Sequence, residues 1–152
     1  MRKRWRLATD EDVFDVVSRL RPCDVEECVA FTGLTPLELF TRVGYDPDNT
    51  YVLLNKDGDN VALGGVCKTD DMSAQIWLIA TPLIENHSIE FLRWSRAFIK
   101  DITQGIPLVY NWVYAKNDVH IKWLKWCGFT FIKEHTCFGA AGVPFLTFVR
   151  IS

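Results

Sequence analysis

The spacing of apolar residues changes along the chain, and each change predicts a different kind of element. Up to Gly44, apolar residues recur at intervals typical of amphipathic helices, after a short strand at 5–8. From Thr50 onward, short apolar runs separated by turn residues indicate strands. The sequence therefore predicts the order strand, helices, three strands, helix, strand, helix and two strands.

Capping and breaking residues predict the element boundaries. We expect Thr9 or Asp10 to cap the first helix and Pro22 to break it. Two further helices are expected to end at Gly33 and Gly44. The later strands are predicted at 50–55, 60–67, 74–80, 108–114, 130–135 and 145–151, and the later helices at 89–102 and between Asn117 and Gly128.

Local features predict contacts of the sheet. Gly64 and Gly65 lie inside a strand, where they indicate a β-bulge or the close approach of another group. Ser88 is expected to cap the long helix. Its inner stripe is predicted to contain Phe91, Leu92, Ser95, Phe98, Ile99 and Ile102. The sequence contains no internal repeat and no linker. The pattern therefore predicts one α/β (or α+β) domain over residues 1–152, with a mixed sheet and helices on both faces.

Composition narrows the classes of function. The net charge of −2 provides no generally electropositive surface, so nucleic-acid binding is possible but not favoured. We expect a soluble protein, since no apolar run approaches the ~20 residues of a membrane span and acidic residues follow the basic start too soon for a signal peptide. The five cysteines form no CxxC pair, which favours reduced, mostly buried thiols and no metal site.

The segment VYAKNDVHIKWLKWCGF, residues 113–129, resembles the GNAT superfamily of N-acetyltransferases. A strand leads to Asn117, a helix follows, and Gly128-Phe129 comes after the same interval as in that family. The segment RLATDEDVFDVV resembles the opening strand and helix of the family. The resemblance implies a GNAT-like mixed, mostly antiparallel sheet.

A narrower resemblance connects the chain with phages. VALGGVC, a strand with Trp77 and YNWVYAKNDVHIKWLKWCGF are together similar to a small internal virion protein family of short-tailed double-stranded DNA phages. That family acts in particle assembly. The resemblance implies binding partners among virion or host proteins, and a location in the host cytoplasm or the virion.

The phosphate loop of GNAT enzymes has no counterpart here. The family resemblance places an Arg/Gln-x-x-Gly-x-Gly/Ala loop after the fourth strand, where this chain has IATPLIENHSIEFLRW. That segment contains no glycine and no basic residue before Arg93. Glu85 would repel a phosphate there by about 1 kcal/mol or more at short range. We therefore expect the chain to bind no cofactor. Acetyl-CoA would be the cofactor only under the alternative that the chain is an N-acetyltransferase.

The acid–base groups of the family are also missing. The resemblance places a Tyr general acid at the position of Leu124, while Tyr110 and Tyr114 match no catalytic position. The fourth and fifth strands contain no carboxylate that could act as a base. His120 is titratable, but a structural role is favoured. We expect no catalytic residue, with Asn117 capping a helix.

Aromatic and basic residues leave a binding role open. Trp123 and Trp126, beside Lys122 and Lys125, could stack on single-stranded nucleic acid, but insertion of both tryptophans into the core is favoured. Arg93, Arg96 and the basic start MRKRWR could contact an acidic partner. Six tryptophans are more than a small core needs, which favours protein interfaces.

These observations favour a phage assembly protein that has lost acetyltransferase activity. One alternative is a divergent acetyl-CoA-dependent N-acetyltransferase, and another is a factor that inhibits a host enzyme. The geometry of the fourth and fifth strands discriminates between the first two. Separation of their ends would make a cofactor site possible, whereas continued pairing, or a groove filled by Trp77, Trp112 or Leu83, would exclude it.

Overall fold

The computed structural model describes residues 3–85 and 89–152 and contains a seven-stranded sheet covered by helices. The strands are β1 (Trp5–Leu7), β2 (Thr50–Leu54), β3 (Asn60–Lys68), β4 (Ser73–Ala80), β5 (Leu108–Tyr114), β6 (Thr130–Phe138) and β7 (Val143–Ile151). The helices are α1 (Asp10–Ser18), α2 (Pro22–Thr32), α3 (Pro36–Arg42), α4 (Ile89–Ile102) and α5 (Asp118–Trp126), and a short 3₁₀ helix spans Pro82–Glu85. The predicted order of elements is confirmed.

The strands lie in the order β1-β2-β3-β4-β5-β7-β6. Every neighbouring pair is antiparallel except β4 and β5, which are parallel. Their register joins Ser73–Gln75 to Leu108–Tyr110 and then stops. Beyond these three pairs β4 continues to Ala80 and β5 to Tyr114. The two strands therefore separate at their carboxyl ends.

Helices cover both faces of the sheet, as the sequence predicts. Alternation along the strands directs Val52 and Leu63 to the face covered by α1 and α3, where Val16 completes a small cluster. On the opposite face a larger cluster contains Phe98 of α4 and Leu124 of α5. A third cluster forms where α2 packs near the C-terminal strands. The mixed, mostly antiparallel sheet of the predicted GNAT-like fold is thus confirmed.

The structure corrects several local predictions. Pro22 does not break α1, which ends at Ser18, but occupies the first turn of α2, where proline sacrifices no helical hydrogen bond. Trp94, and not Leu92, belongs to the buried stripe of α4. Ser88, the predicted cap of that helix, lies outside the described residues. Ordinary helix periodicity explains Trp94, which lies three residues from Phe91 and one turn from Phe98.

Gly65 marks a close approach rather than a bulge. A Cβ atom there would lie 2.2 Å from the carbonyl oxygen of Asn49 and within 3.2 Å of the Trp77 ring. The register shift of this hairpin lies instead in β2, between Leu53 and Leu54. The glycine therefore makes room for main chain and indole, one of the two roles that the sequence predicted.

The prediction that the cysteines are mostly buried is wrong. Cys127 alone is buried, Cys23 and Cys28 are half-buried, and Cys67 and Cys137 are exposed. All five are free thiols. Burial raises the pKa of the Cys127 thiol to about 12. Among the described residues, no helix is both long enough and apolar enough to cross a membrane.

Candidate functional site

The separation of β4 and β5 opens a pocket of about 230 Å³. Its walls come from α2, β4, β5 and α5, and most of them are apolar or aromatic, among them Phe31, Trp112 and Trp123. Trp77 and Trp112 line the pocket without filling it, and Leu83 packs elsewhere, against the α4 face of the sheet. The strand geometry therefore leaves room for a ligand, which keeps the enzyme alternative in consideration.

Both ends of the edge that β4 exposes above the pocket are already hydrogen-bonded. Near the last strand pair, the Asn111 side chain donates to the carbonyl oxygen of Ile76 at 2.7 Å. At the far end, the Arg21 N–H donates to the Ala80 carbonyl at 2.9 Å, and the Ala80 N–H donates to Asp24 Oδ2 at 2.8 Å. The first turn of α2 thus takes the place that a neighbouring strand would have at Ala80.

Arg21 and Asp24 form a buried ion pair at this position. Arg21 Nε and Nη2 donate to the Asp24 carboxylate at 3.0–3.1 Å, and the two side chains are 3% and 2% exposed. Burial raises the pKa of Asp24, and the Arg21 charge opposes this increase. Because a charge buried this deeply must be paired, the contact fixes the start of α2 against β4.

A second polar group connects α2 to α5. Asn117 Nδ2 donates to Glu27 Oε2 at 2.6 Å, and His120 Nδ1 lies 3.4 Å from the same oxygen. Asn117 Oδ1 also accepts from the His120 N–H, so the predicted helix cap is confirmed. Burial disfavours the charged imidazole, but the carboxylates of Glu27 and Asp24 outweigh it and raise the pKa of His120. The structural role of His120 thus rests on observed contacts.

The buried ion pair and this polar group meet on one wall of the pocket. One ligand atom from each of Asp24, Glu27 and His120 lies within 4.8 Å of the others. Nearby, Trp123 is 8% exposed, and its Nε1 is buried with no acceptor among the described residues. The sequence prediction named His120 but not Asp24 or Glu27. Their spacing of three residues on one helix face was the available signal.

The positions where GNAT enzymes carry a phosphate loop and an acid have other structures here. After β4 comes the 3₁₀ helix, in which Ile84 is buried, its N–H bonds the Thr81 carbonyl, and Glu85 is exposed. Residues 86–88 lie outside the described part of the chain. Leu124 is 2% exposed in the apolar core. Among the described residues, neither 82–85 nor Leu124 supplies a basic side chain for a phosphate.

The tryptophans of α5 have different environments. Trp123 is buried as predicted, but the prediction for Trp126 is wrong: it is 36% exposed, and its Nε1 donates to the Leu92 carbonyl. The Arg96 guanidinium lies 3.9 Å from the centroid of the Trp126 ring and donates to its carbonyl. Lys122 and Lys125 are exposed, as predicted. Since Arg96 stacks on the indole, this face of Trp126 is already covered.

Several solved structures with a similar fold are acetyltransferases. A GNAT-family acetyltransferase from Bacillus anthracis matches with a TM-score of 0.73 and 10% identity, covering 97% of this chain and 93% of that one. Spermidine N-acetyltransferase from Vibrio cholerae, solved with CoA and spermine, gives 0.69 and 15%, covering 97% and 94%. Sinorhizobium meliloti phosphinothricin acetyltransferase, solved with AcCoA, gives 0.62 and 12%, covering 99% and 89%. At these identities the likeness shows the GNAT fold alone.

Comparison by sequence gives a different and more specific result. No curated protein matches the chain significantly. A family model described as "Bacteriophage T7, probable scaffold protein Gp13" matches residues 50–136, from β2 into β6, which is more than half of the chain. The matched part includes α4, α5 and both strands that border the pocket. The chain therefore belongs to this family of phage scaffold proteins.

Proposed function

We propose that this chain is a protein-binding component of phage particle assembly whose GNAT fold no longer transfers acetyl groups. Membership of the scaffold family supports the assembly role. One structural observation supports the loss of activity. At the edge of β4, the Ala80 carbonyl accepts a hydrogen bond from the Arg21 N–H, and the Ala80 N–H donates to the Asp24 carboxylate. A thioester cofactor extended along this edge would have to displace that buried ion pair.

The pocket size supports the same conclusion. Pockets for drug-sized ligands typically have volumes of ~300–1,000 Å³. The present pocket, at about 230 Å³, is smaller than that range. Acetyl-CoA is larger than a typical drug, so it would need more room still. An anion near the end of β4 would also meet the exposed Glu85 instead of a glycine-rich main-chain cradle.

A thermal-unfolding titration with acetyl-CoA tests the loss of cofactor binding. We expect no concentration-dependent shift of the midpoint, because stabilisation requires a ligand that binds the native state. An active GNAT enzyme measured in parallel supplies the positive control. A saturable upward shift at cellular acetyl-CoA concentrations would overturn this part of the proposal.

The assembly role requires a separate test in infected cells. We expect a phage that lacks this gene to produce fewer complete particles, and the chain to co-purify with virion proteins from the host cytoplasm. A plasmid copy should restore particle yield. Normal particles without the gene would contradict the role. Co-purification with a host enzyme alone would support the inhibitor alternative instead.

A divergent acetyl-CoA-dependent N-acetyltransferase is the second candidate function. The observation in its favour is the separation of β4 and β5 above Gln75 and Tyr110, with a pocket between them. It predicts release of free CoA when the protein is incubated with acetyl-CoA and amine substrates, which a thiol reagent detects after separation of the protein. Absence of thiol release across peptide and polyamine substrates would remove this candidate.

A further inference from the structure

We propose that Asp24, Glu27 and His120 form a binding site for a divalent transition-metal ion, and that Zn²⁺ suits the donor set best. Asp24 and Glu27 lie one helical turn apart on α2, and His120 projects from the first turn of α5. One ligand atom from each lies within 4.8 Å of the other two. A small rotation of side chains would bring these atoms to the separations found around a single ion.

The two carboxylates keep free lone pairs despite their present contacts. Asp24 Oδ1 accepts one bond from Arg21 Nη2, at 3.0 Å, while a carboxylate oxygen has two lone pairs. Asn117 binds Glu27 Oε2, which leaves the Oε1 atom available. The hydrogen bond from Asn117 thus orients the Glu27 carboxylate, as residues next to metal ligands commonly do.

The charges on this wall are not balanced when His120 is in the neutral form that a metal ligand requires. Arg21 contributes +1 and the carboxylates of Asp24 and Glu27 contribute −1 each, so the group has a formal charge of −1 when His120 is neutral. The four side chains are at most 15% exposed. Because an unpaired charge is costly in such an environment, the site favours a cation.

Trp123 provides an independent indication of a ligand. Its indole N–H lacks an acceptor among the described residues, although the side chain is more than nine-tenths buried and lines the same pocket as His120. Buried donors are nearly always satisfied in native proteins. A hydroxide on the fourth position of a metal ion would supply an acceptor within the pocket.

The donor set favours Zn²⁺ over the alkaline-earth ions. Zinc binds histidine nitrogen together with carboxylate oxygen, often through three protein ligands and one water. Mg²⁺ and Ca²⁺ prefer six or more oxygen ligands, which this wall does not supply. An ion bound here would connect α2 to α5 across the separated ends of β4 and β5.

Calorimetric titration of the metal-stripped full-length protein with ZnCl₂ tests the site. We expect one ion per chain, and an affinity at least about a hundredfold lower in E27Q and in H120N. MgCl₂ should show no comparable binding. The C67S/C137S variant, which removes the two exposed thiols, should retain the affinity and excludes adventitious binding by those two thiolates.

Co²⁺ provides a measurement that does not depend on variants. Bound at this site, it should give the visible absorption of a four-coordinate nitrogen–oxygen complex without a thiolate charge-transfer band. Circular dichroism verifies that E27Q and H120N are folded. The proposal is overturned if the folded native protein binds no Zn²⁺, if both variants bind it normally, or if C67S/C137S abolishes binding.

Discussion

The starts of α1 and α2 use the same pair of residue types in different ways. At α1, Arg6 pairs with Asp12, and Asp12 also belongs to a capping box with Thr9. At α2, Arg21 pairs with Asp24, without a side-chain cap. The Arg6 side chain is 49% exposed, whereas that of Arg21 is 3% exposed. The first contact is local, while the second completes the edge of a strand 56 residues away.

The difference shows that position, rather than residue type, determines the structural role of an ion pair. A partly exposed pair contributes little because water solvates its charges almost equally well. A buried pair cannot lose one member without leaving an uncompensated charge. We therefore expect substitutions at the two helix starts to have unequal effects.

Replacing each arginine by methionine gives the largest expected contrast. R21M should lower the free energy of unfolding by about 3–5 kcal/mol, because Asp24 remains buried without its partner. R6M should lower it less, by about 1–2 kcal/mol, because Asp12 is buried but keeps its bonds from the Thr9 N–H and the Asn60 side chain. Chemical denaturation measures both. Equal losses would show that burial does not distinguish the two pairs.

Acid titration should isolate the contribution of Asp12. Burial would raise the pKa of this carboxyl, but bonds from Arg6 and Thr9 outweigh that effect and lower it to about 2. The folded pKa thus lies below the unfolded value near 3.9. At ~1.36 kcal/mol per pKa unit this stabilisation is about 2–3 kcal/mol, and it is complete above about pH 5 and is lost as the pH falls through about 2.

The D12N variant should accordingly be less stable than the native chain at pH 5 and almost equal to it near pH 2. Denaturation curves across this range measure the difference. D57N, at an exposed turn, is the matched control and should give a constant difference. A D12N difference that does not change with pH would refute the assigned cause.

The capping box itself should have a smaller effect. T9A removes the hydroxyl that accepts the Asp12 N–H, and we expect a loss of about 1 kcal/mol. P22A at the other helix start removes no hydrogen-bond partner and should cost less. Thermal unfolding compares the two variants. A larger loss in P22A would mean that the entry of α2 depends on the proline ring.

The smallest expected effect is a difference in reactivity between two cysteine thiols. Cys23 lies in the first turn of α2, where a helix N-terminus would ordinarily lower the pKa of a thiol. Here burial, followed by the Asp24 charge, raises the pKa of Cys23. Alkylation near neutral pH, followed by peptide mass spectrometry, should therefore modify the exposed Cys137 before Cys23. The reverse order would show that the helix terminus dominates.

The same contrast explains which features could be predicted from the sequence. The cap at Thr9, the helix start at Asn117 and the order of elements along the chain depend on neighbouring residues or on periodicity, and the structure confirms them. Arg21 could not be assigned, because its role depends on Ala80, which no local pattern connects to it. Glu27 was missed for the same reason, since its partner Asn117 is 90 residues away.

Trp126 illustrates a different limit. Helical spacing predicts that it shares a side with Trp123, and both were expected in the core. The structure leaves Trp126 at the surface, where its N–H reaches a main-chain carbonyl and Arg96 covers its ring. Periodicity gives the direction in which a helix side chain points. It does not show that Trp126 lies beside the first turn of α4, where the packed core stops.

The short parallel contact between β4 and β5 also affects how the chain assembles during folding. Strands β1–β4 form one antiparallel half of the sheet and β5–β7 form the other, and among the described residues three residue pairs of the sheet register, between β4 and β5, join the two halves. Most pairings within each half close short loops, as in the hairpins of β2 with β3 and of β6 with β7. We expect docking of the halves to depend mainly on contacts between side chains.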